Sequence, residues 1–331
     1  MAAAALSLNV EPNGQFSVTL SGGAIKLFGG EVRVGNLSST AKTLATVGKL
    51  EKIAGTDNIG RWSGLRLSWV SAAEQQKILM RTTFQQYAAD PGVVVFDQHF
   101  PSDVHFGGGS SPIALNDSCA YEPTVEAAAE PRSSTLFPAF QRSPSDTLPC
   151  FAYHGIFPQM KQCTFGAYVE SHQGGVPLVL YNRSDAALRE GAPPMLVFSQ
   201  LDWPKAQHVA TEPGLVGIGV KATVGKVPAG WSQRSVLSAG YGIGDGMMAW
   251  GERMLRYAGK RRVDQRYRDR THSTIGFWTD NGGYYHYSTG GGSETYEAVL
   301  PKVKAHHESL GVRFGHWQFD SWCSPKRPSK P

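Results

Sequence analysis

The chain has 331 residues, 41% of them hydrophobic and 18% charged, which is enough apolar side chain for a core and excludes a disordered polypeptide. No run approaches the ~18 uninterrupted apolar residues of a membrane-spanning helix. The net charge of +5 is local: between Arg253 and Arg270 eight basic residues stand against Asp264 and Asp269, a surplus of six that leaves the rest at minus one. With only Tyr257 and Tyr267 as aromatics, that segment reads as a solvated helix and linker. A nucleic-acid surface would spread its basic residues and interleave aromatics.

Residues 1–245 read as a succession of short strands. Phe16–Leu20, Ile25–Phe28, Glu31–Val34 and Leu65–Trp69 alternate or nearly alternate apolar with polar residues. Ile78–Phe84, Val93–Phe96, Val176–Tyr181, Met195–Phe198 and Val216–Val220 are apolar runs of strand length. Turn residues separate them, and long helical periodicity is absent. This pattern predicts a large β-sandwich. Residues 101–135, rich in Ser, Pro and Gly, predict a loop. The start, Met1–Leu6, has no basic region and too short an apolar run for a signal peptide, so a cytoplasmic location is the default expectation. The four cysteines, Cys119, Cys150, Cys163 and Cys323, form no C-x-x-C pair and are expected as buried or free thiols.

The pattern changes at Asp245. Met247, Trp250, Met254 and Tyr257 are spaced as one face of a helix. After the basic linker, Ser273–Thr279 predicts a strand. Ser293 is a candidate N-cap for a helix from Glu294 to Leu310, Gly311 its stop, and Val312–Phe319 a second strand. Residues 273–320 therefore read β–α–β, the size of one crossover unit. Both strands run into an acidic residue, Asp280 and Asp320, with aromatics beside it. Carboxylates accept hydrogen bonds from vicinal hydroxyls and aromatic rings stack on sugar rings, so this pairing suits a carbohydrate.

Three motifs lead nowhere. His105-Phe-Gly-Gly-Gly-Ser110 lacks the G-x-S-x-G elbow that would make it part of a hydrolase site. Gly240–Gly246 misses the spacing of a dinucleotide fingerprint and predicts a tight strand-to-helix turn. His306-His-Glu308 lacks the i, i+4 histidine pair of a zinc helix. No metal or cofactor is expected.

The stretch Ile275–Tyr287, then Tyr296-Glu-Ala-Val-Leu300, Leu310-Gly-Val-Arg-Phe314 and Trp317-Gln-Phe-Asp-Ser-Trp322 resemble the first barrel strands of a glycoside-hydrolase-like group, similar in layout to the α-galactosidase and raffinose-synthase enzymes. Gly55–Trp69 and Phe96–Pro101 are similar to the sandwich of the same group. The resemblance implies an N-terminal β-sandwich followed by a (β/α)₈ catalytic barrel. It thus implies a mainly β chain with a C-terminal α/β piece: sandwich over 1–245, linker helix and basic linker over 246–270, and the first βαβ unit of an incomplete TIM-type barrel over 271–331. It implies retaining chemistry on α-glycosides, with Asp280, Asp320, Trp322, Trp278 and Tyr285 contacting the sugar. In that group the catalytic Asp pair lies on later barrel strands, so no catalytic residue is assigned here. This chain is expected as an inactive N-terminal portion of an enzyme. The alternative expectation is a non-catalytic carbohydrate-binding or scaffold sandwich. Either way the expected partner is a carbohydrate, with neither nucleic acid nor membrane, and the oligomeric state stays open.

Overall fold

Period-two alternation through the first half of the chain produces strands that each have one apolar face, and these faces meet between two sheets. The computed structural model describes residues 4–106, 134–141, 148–154, 159–165, 177–182, 192–204, 206–212, 214–221, 223–263, 267–279 and 296–319. They group into two compact units, one up to Arg261 and one from Arg262 on.

In the first unit, β1 (Leu6–Val10), β2 (Phe16–Leu20) and β3 (Lys26–Gly29) form a meander, and β4 (Arg33–Val34) and β5 (Leu37–Ser38) a short hairpin. The long antiparallel run β6 (Leu44–Thr56), β7 (Arg61–Ser71), β8 (Ile78–Tyr87) and β9 (Asp90–Phe100) follows. Next come β10 (Val104–His105), β11 (Thr135–Leu136), β12 (Ala139–Gln141), β13 (Pro149–His154), β14 (Gln159–Thr164) and β15 (Leu178–Tyr181). The last are β16 (Pro194–Gln200), β17 (Gln207–Glu212), β18 (Leu215–Val220), β19 (Lys226–Val227) and β20 (Trp231–Tyr241).

Two large sheets result, of six strands in the order β1-β2-β3-β12-β18-β17 and of nine in the order β14-β13-β15-β16-β20-β9-β8-β7-β6. One apolar core lies between them: Val18, Leu20, Leu27 and Ile218 from the smaller sheet meet Phe84, Phe96, Phe198 and Leu237 from the larger. Its centre is aromatic, with Phe16 and Phe84 at 5.0 Å, Phe84 and Phe137 at 5.2 Å, and Phe140 and Phe198 at 5.2 Å, all edge-on as ring quadrupoles prefer. The large β-sandwich read from the turns and alternation is present.

Helix α1 (Ile243–Tyr257) follows β20 directly through the glycine-rich turn. Its stripe lies where the spacing put it. Trp250, Met254 and Tyr257 cover Val93, Val95 and Val236 on the outer face of the larger sheet, and Met247 covers Val179, Met195 and Val197. Gly246 allows the close approach, because a Cβ there would lie 1.7 Å from the Met195 sulfur.

The basic segment departs from its expected solvated character at its first residue. Arg253 is 8% exposed and is held on four sides. Its Nε and Nη2 donate to the two Asp90 oxygens at 3.0 and 2.6 Å, and its Nη1 to Ser238 Oγ at 2.6 Å and the Ala239 carbonyl at 2.9 Å. A guanidinium on the packed side of a helix can reach past its own turn to a strand end, and position in a charge run does not reveal that. The cysteine expectation also fails at one position. Cys150 is disulfide-bonded, and it stands opposite Cys163 in the β13–β14 pair. Pairing brings cross-strand neighbours to Cβ separations of ~4.5–5.5 Å, which linear spacing cannot show. Cys119 and Cys323 lie outside the described residues.

The second unit holds the short helix α2 (Arg270–Ser273), β21 (Gly276–Trp278), α3 (Tyr296–Ser309) and β22 (His316–Gln318). β21 and β22 pair in parallel, Phe277 opposite Trp317, so the predicted β–α–β connection is present. Val299 and Val303 of α3 are buried. Pro301 lies within the helix and removes the bond its N–H would have given to the Glu297 carbonyl. Gly311 ends the helix at φ +79, with its N–H on the Glu308 carbonyl and that of Val312 on His307, the Schellman arrangement.

Candidate functional site

Among the described residues, chemistry-bearing side chains gather at the β21–β22 pair and on the outer face of the sandwich. The first is the β21–β22 pair. Parallel pairing puts the C-terminal ends of both strands at one edge. Trp278 closes β21 there and is 44% exposed. Its register partner is Gln318, and Phe319, which follows β22, is 40% exposed. Behind them lies an aromatic stack: Phe277 sits 4.9 Å from Trp317 and 5.4 Å from Phe314, and His307 of α3 lies 4.9 Å from Phe314. The His307 Nδ1 lies 2.9 Å from the Val303 carbonyl, so this histidine belongs to the packing of the unit. Trp317 is half-buried in the same stack. Gly276 leaves room for His316, whose imidazole would lie 2.0 Å from a Cβ at that position. Of the expected sugar contacts, Trp278 is thus an exposed aromatic at a strand end. Asp280, Tyr285, Asp320 and Trp322 lie outside the described residues.

The second place is on the sandwich, where sequence reading pointed only by segment. The Gly55–Trp69 stretch is the tip of the β6–β7 hairpin and its return strand. Asp57 Oδ1 accepts the Ile59 and Gly60 N–H groups, and Asn58 Nδ2 donates to the Tyr257 carbonyl at the end of α1. The Phe96–Pro101 stretch is the end of β9, and alternation sends Asp97 outward and Gln98 inward.

Outward, Arg66, Thr83, Asp97 and Arg234 stand opposite one another across β7, β8, β9 and β20. Arg234 Nε pairs with Asp97 at 3.1 Å, and its Nη1 donates to the Tyr257 hydroxyl at 2.8 Å. The Tyr257 hydroxyl donates to Asp202 Oδ2 at 3.2 Å, while Asp202 Oδ1 accepts the Arg234 backbone N–H at 2.7 Å and Gln207 Nε2 at 2.9 Å. Tyr87 donates to Asp57 at 2.6 Å.

Burial perturbs several of these groups. It pushes the Asp202 carboxyl up to about 6, against the lowering effect of the Arg234 N–H and guanidinium. Burial raises Asp97 as well, with Arg234 opposing. Burial and the Asp57 carboxylate drive the Tyr87 hydroxyl far up. For Arg234 burial works against the charge, but Tyr257, Asp97 and Asp202 together hold the guanidinium above its ordinary value. Both oxygens of Asp57 and of Asp202 are already accepting hydrogen bonds, and Asp97 is paired. The network therefore clamps α1 and the turn after β16 to the sheet, and its carboxylates are not set as a reacting pair.

Among the described residues no group of three or more His, Cys, Asp or Glu could hold a metal ion, and no helix is long and apolar enough to cross a membrane.

No family model matches the chain, and no curated protein matches it. A solved structure described as a beta-arabinopyranosidase superposes with a TM-score of 0.47 at 11% identity, covering 92% of this chain and 48% of that one. The chain thus spans about half the length of that structure.

Proposed function

We propose that this protein is glycoside-hydrolase-like and contacts carbohydrate at the C-terminal ends of β21 and β22. The observation that carries the reading is the exposed Trp278 at the end of a strand paired in parallel, through a helical crossover, with a second strand. Ligands of βα architectures bind at that end of the strands, because the loops that follow are free to vary. Asp280 and Asp320 follow the two strands in sequence, so the carboxylates and the indole would face one sugar ring.

The reading extends to retaining cleavage of α-glycosides by a complete barrel. Retention needs two carboxyl groups ~5–5.5 Å apart across the scissile bond. In this reading Asp280 and Asp320 hold hydroxyls, Trp322 and Tyr285 line the pocket, and the chain by itself binds without cleaving.

Saturation-transfer NMR with methyl α- and β-D-galactopyranoside tests the binding, and release of p-nitrophenol from p-nitrophenyl α-D-galactopyranoside tests cleavage. Binding of the α-anomer without release is the expected pair of results. Transfer to neither anomer would overturn the binding reading, and enzyme-dependent release would overturn the assignment of the two aspartates.

A further inference from the structure

Three stretches of the chain have the Asn-X-Ser pattern that accepts an N-linked glycan: Asn36-Leu-Ser38, Asn116-Asp-Ser118 and Asn182-Arg-Ser184. The pattern is short and chance produces it often, so its placement in the fold decides. Asn36 stands at the apex of the β4–β5 hairpin. Arg33 pairs with Ser38 and Val34 with Leu37, which leaves Gly35 and Asn36 as the turn. Gly35 takes φ +57, the left-handed conformation that the first position of such a turn requires. Val34 and Ser38 on either side are buried and anchor the two strands, while Asn36 is exposed.

The other two stretches are placed differently. Asn182 is half-buried at the end of β15. Its Nδ2 donates to the Ala24 carbonyl at 3.0 Å, and its backbone N–H to the Pro194 carbonyl at 2.9 Å. A sugar on that nitrogen would crowd the contact that ties β15 to the turn before β3. Asn116 lies outside the described residues. At Asn36 a bulky group meets no such obstacle. β5 is the outer strand of the three-stranded sheet β11-β4-β5, so a glycan on its turn would project beside a sheet edge, where sugar also shields unpaired backbone groups.

A second observation, independent of the pattern, concerns where the chain folds. Cys150 is disulfide-bonded and buried in the core cluster that holds Phe140 and Leu180. Such bridges form and persist in oxidising compartments, among them the lumen through which exported chains pass. A residue 1% exposed is out of reach of a soluble reductant in the folded state. The bridge therefore records the compartment of folding, and it does not serve as an exposed redox switch. The same lumen is where asparagines of this pattern receive glycans.

We infer that Asn36 is an N-glycosylation site of a chain that folds in an oxidising, secretory compartment. This replaces the cytoplasmic location expected by default. The transfer forms a bond from Asn36 Nδ2 to the anomeric carbon of an oligosaccharide carried on a lipid diphosphate. It breaks that carbon's bond to the phosphate oxygen and releases an amide proton and the lipid diphosphate. The full chain, isolated from the cells that produce it, is alkylated, treated with peptide N-glycosidase in heavy-oxygen water, digested and analysed by mass spectrometry. Residue 36 is expected as aspartate carrying the heavy oxygen, with Cys150 unalkylated before reduction. An Asn36→Gln variant made in the same cells should lose the label and the mobility shift on glycosidase treatment, with Tm little changed because the side chain is exposed. Unlabelled Asn36 overturns the site, as does label on Asn182 alone, and an alkylated Cys150 overturns the compartment. The measurement on the unaltered chain decides even where the variant does not fold. Neither result bears on the strand-end reading, which is tested with a free glycoside and a Trp278 variant.

Discussion

Exchanging Arg253 for methionine should destabilise the sandwich by about 3 kcal/mol, because it strands a buried carboxylate. Methionine keeps the aliphatic stem, so packing changes little and charge changes completely. Asp90 is left with its side chain 13% exposed, and breaking a buried pair by removing one partner costs ~3–5 kcal/mol. Arg256 Nη2, 3.4 Å from the same carboxylate, recovers a part, but its side chain is 46% exposed and such contacts give ~1 kcal/mol or less. At ~2–4 °C per kcal/mol for a unit of this size, Tm should fall by roughly 6–12 °C. Urea denaturation of the unaltered protein, Arg253→Met, Asp90→Asn and the double variant closes a cycle. A coupling of ~2 kcal/mol or more is expected between residues in direct contact. A loss under ~1 kcal/mol for Arg253→Met, or four additive values, would refute the view that this arginine fastens α1 to the sheet.

Further outcomes follow from the same geometry. The Asp202 carboxyl titrates near 6 in the folded protein against an ordinary 3.8, so the folded state holds the proton more tightly. Its contribution is full below about pH 4, is lost as pH rises toward 6, and is flat above, with an upper size of about 3 kcal/mol. Asp202→Asn should remove that slope from a Tm-versus-pH curve, and an unchanged slope contradicts the assignment. Gly246→Ala should cost ~1–3 kcal/mol by forcing Met195 from its rotamer, and Met195→Ala should relieve the clash, both read by thermal unfolding. Alkylation followed by mass spectrometry should find Cys150 protected until a reductant is added. Labelling of Cys150 without reductant contradicts the disulfide.

Much of the architecture is legible in the amino-acid sequence. Phe16–Leu20 alternates cleanly because one face of β2 is core, and the residues named match the strand. The Met247–Tyr257 stripe and the Gly311 stop worked because a helix face and a left-handed cap leave local marks. β6 and β20 were harder. β6 is largely exposed on both faces and carries Lys49, Glu51 and Lys52, so periodicity gives it no signature. β20 mixes Gln233, Arg234 and Ser235 into a run that only its register with β9 and β16 explains.

The sandwich residues with the most unusual environments were missed for a related reason. Asp202, Arg234 and Tyr257 are far apart in sequence and meet through α1 and the turn after β16. Gln98 and Gln233, both buried, did leave a signal. In Phe96-Asp-Gln-His-Phe100 and Trp231-Ser-Gln-Arg-Ser-Val-Leu237 an amide occupies the apolar phase, and counting phase rather than apolar content would have marked Gln98 and Gln233.

The proposed contact places a sugar ring against Trp278 at the strand ends. Isothermal titration of the full chain with methyl α-D-galactopyranoside, beside the Trp278→Ala variant, tests it most directly. Saturable heat is expected for the unaltered chain, with a loss of roughly 1–3 kcal/mol of binding free energy in the variant, as for other aromatic stacking partners. Equal heats from both proteins, or none from the unaltered chain up to the solubility of the glycoside, would contradict it.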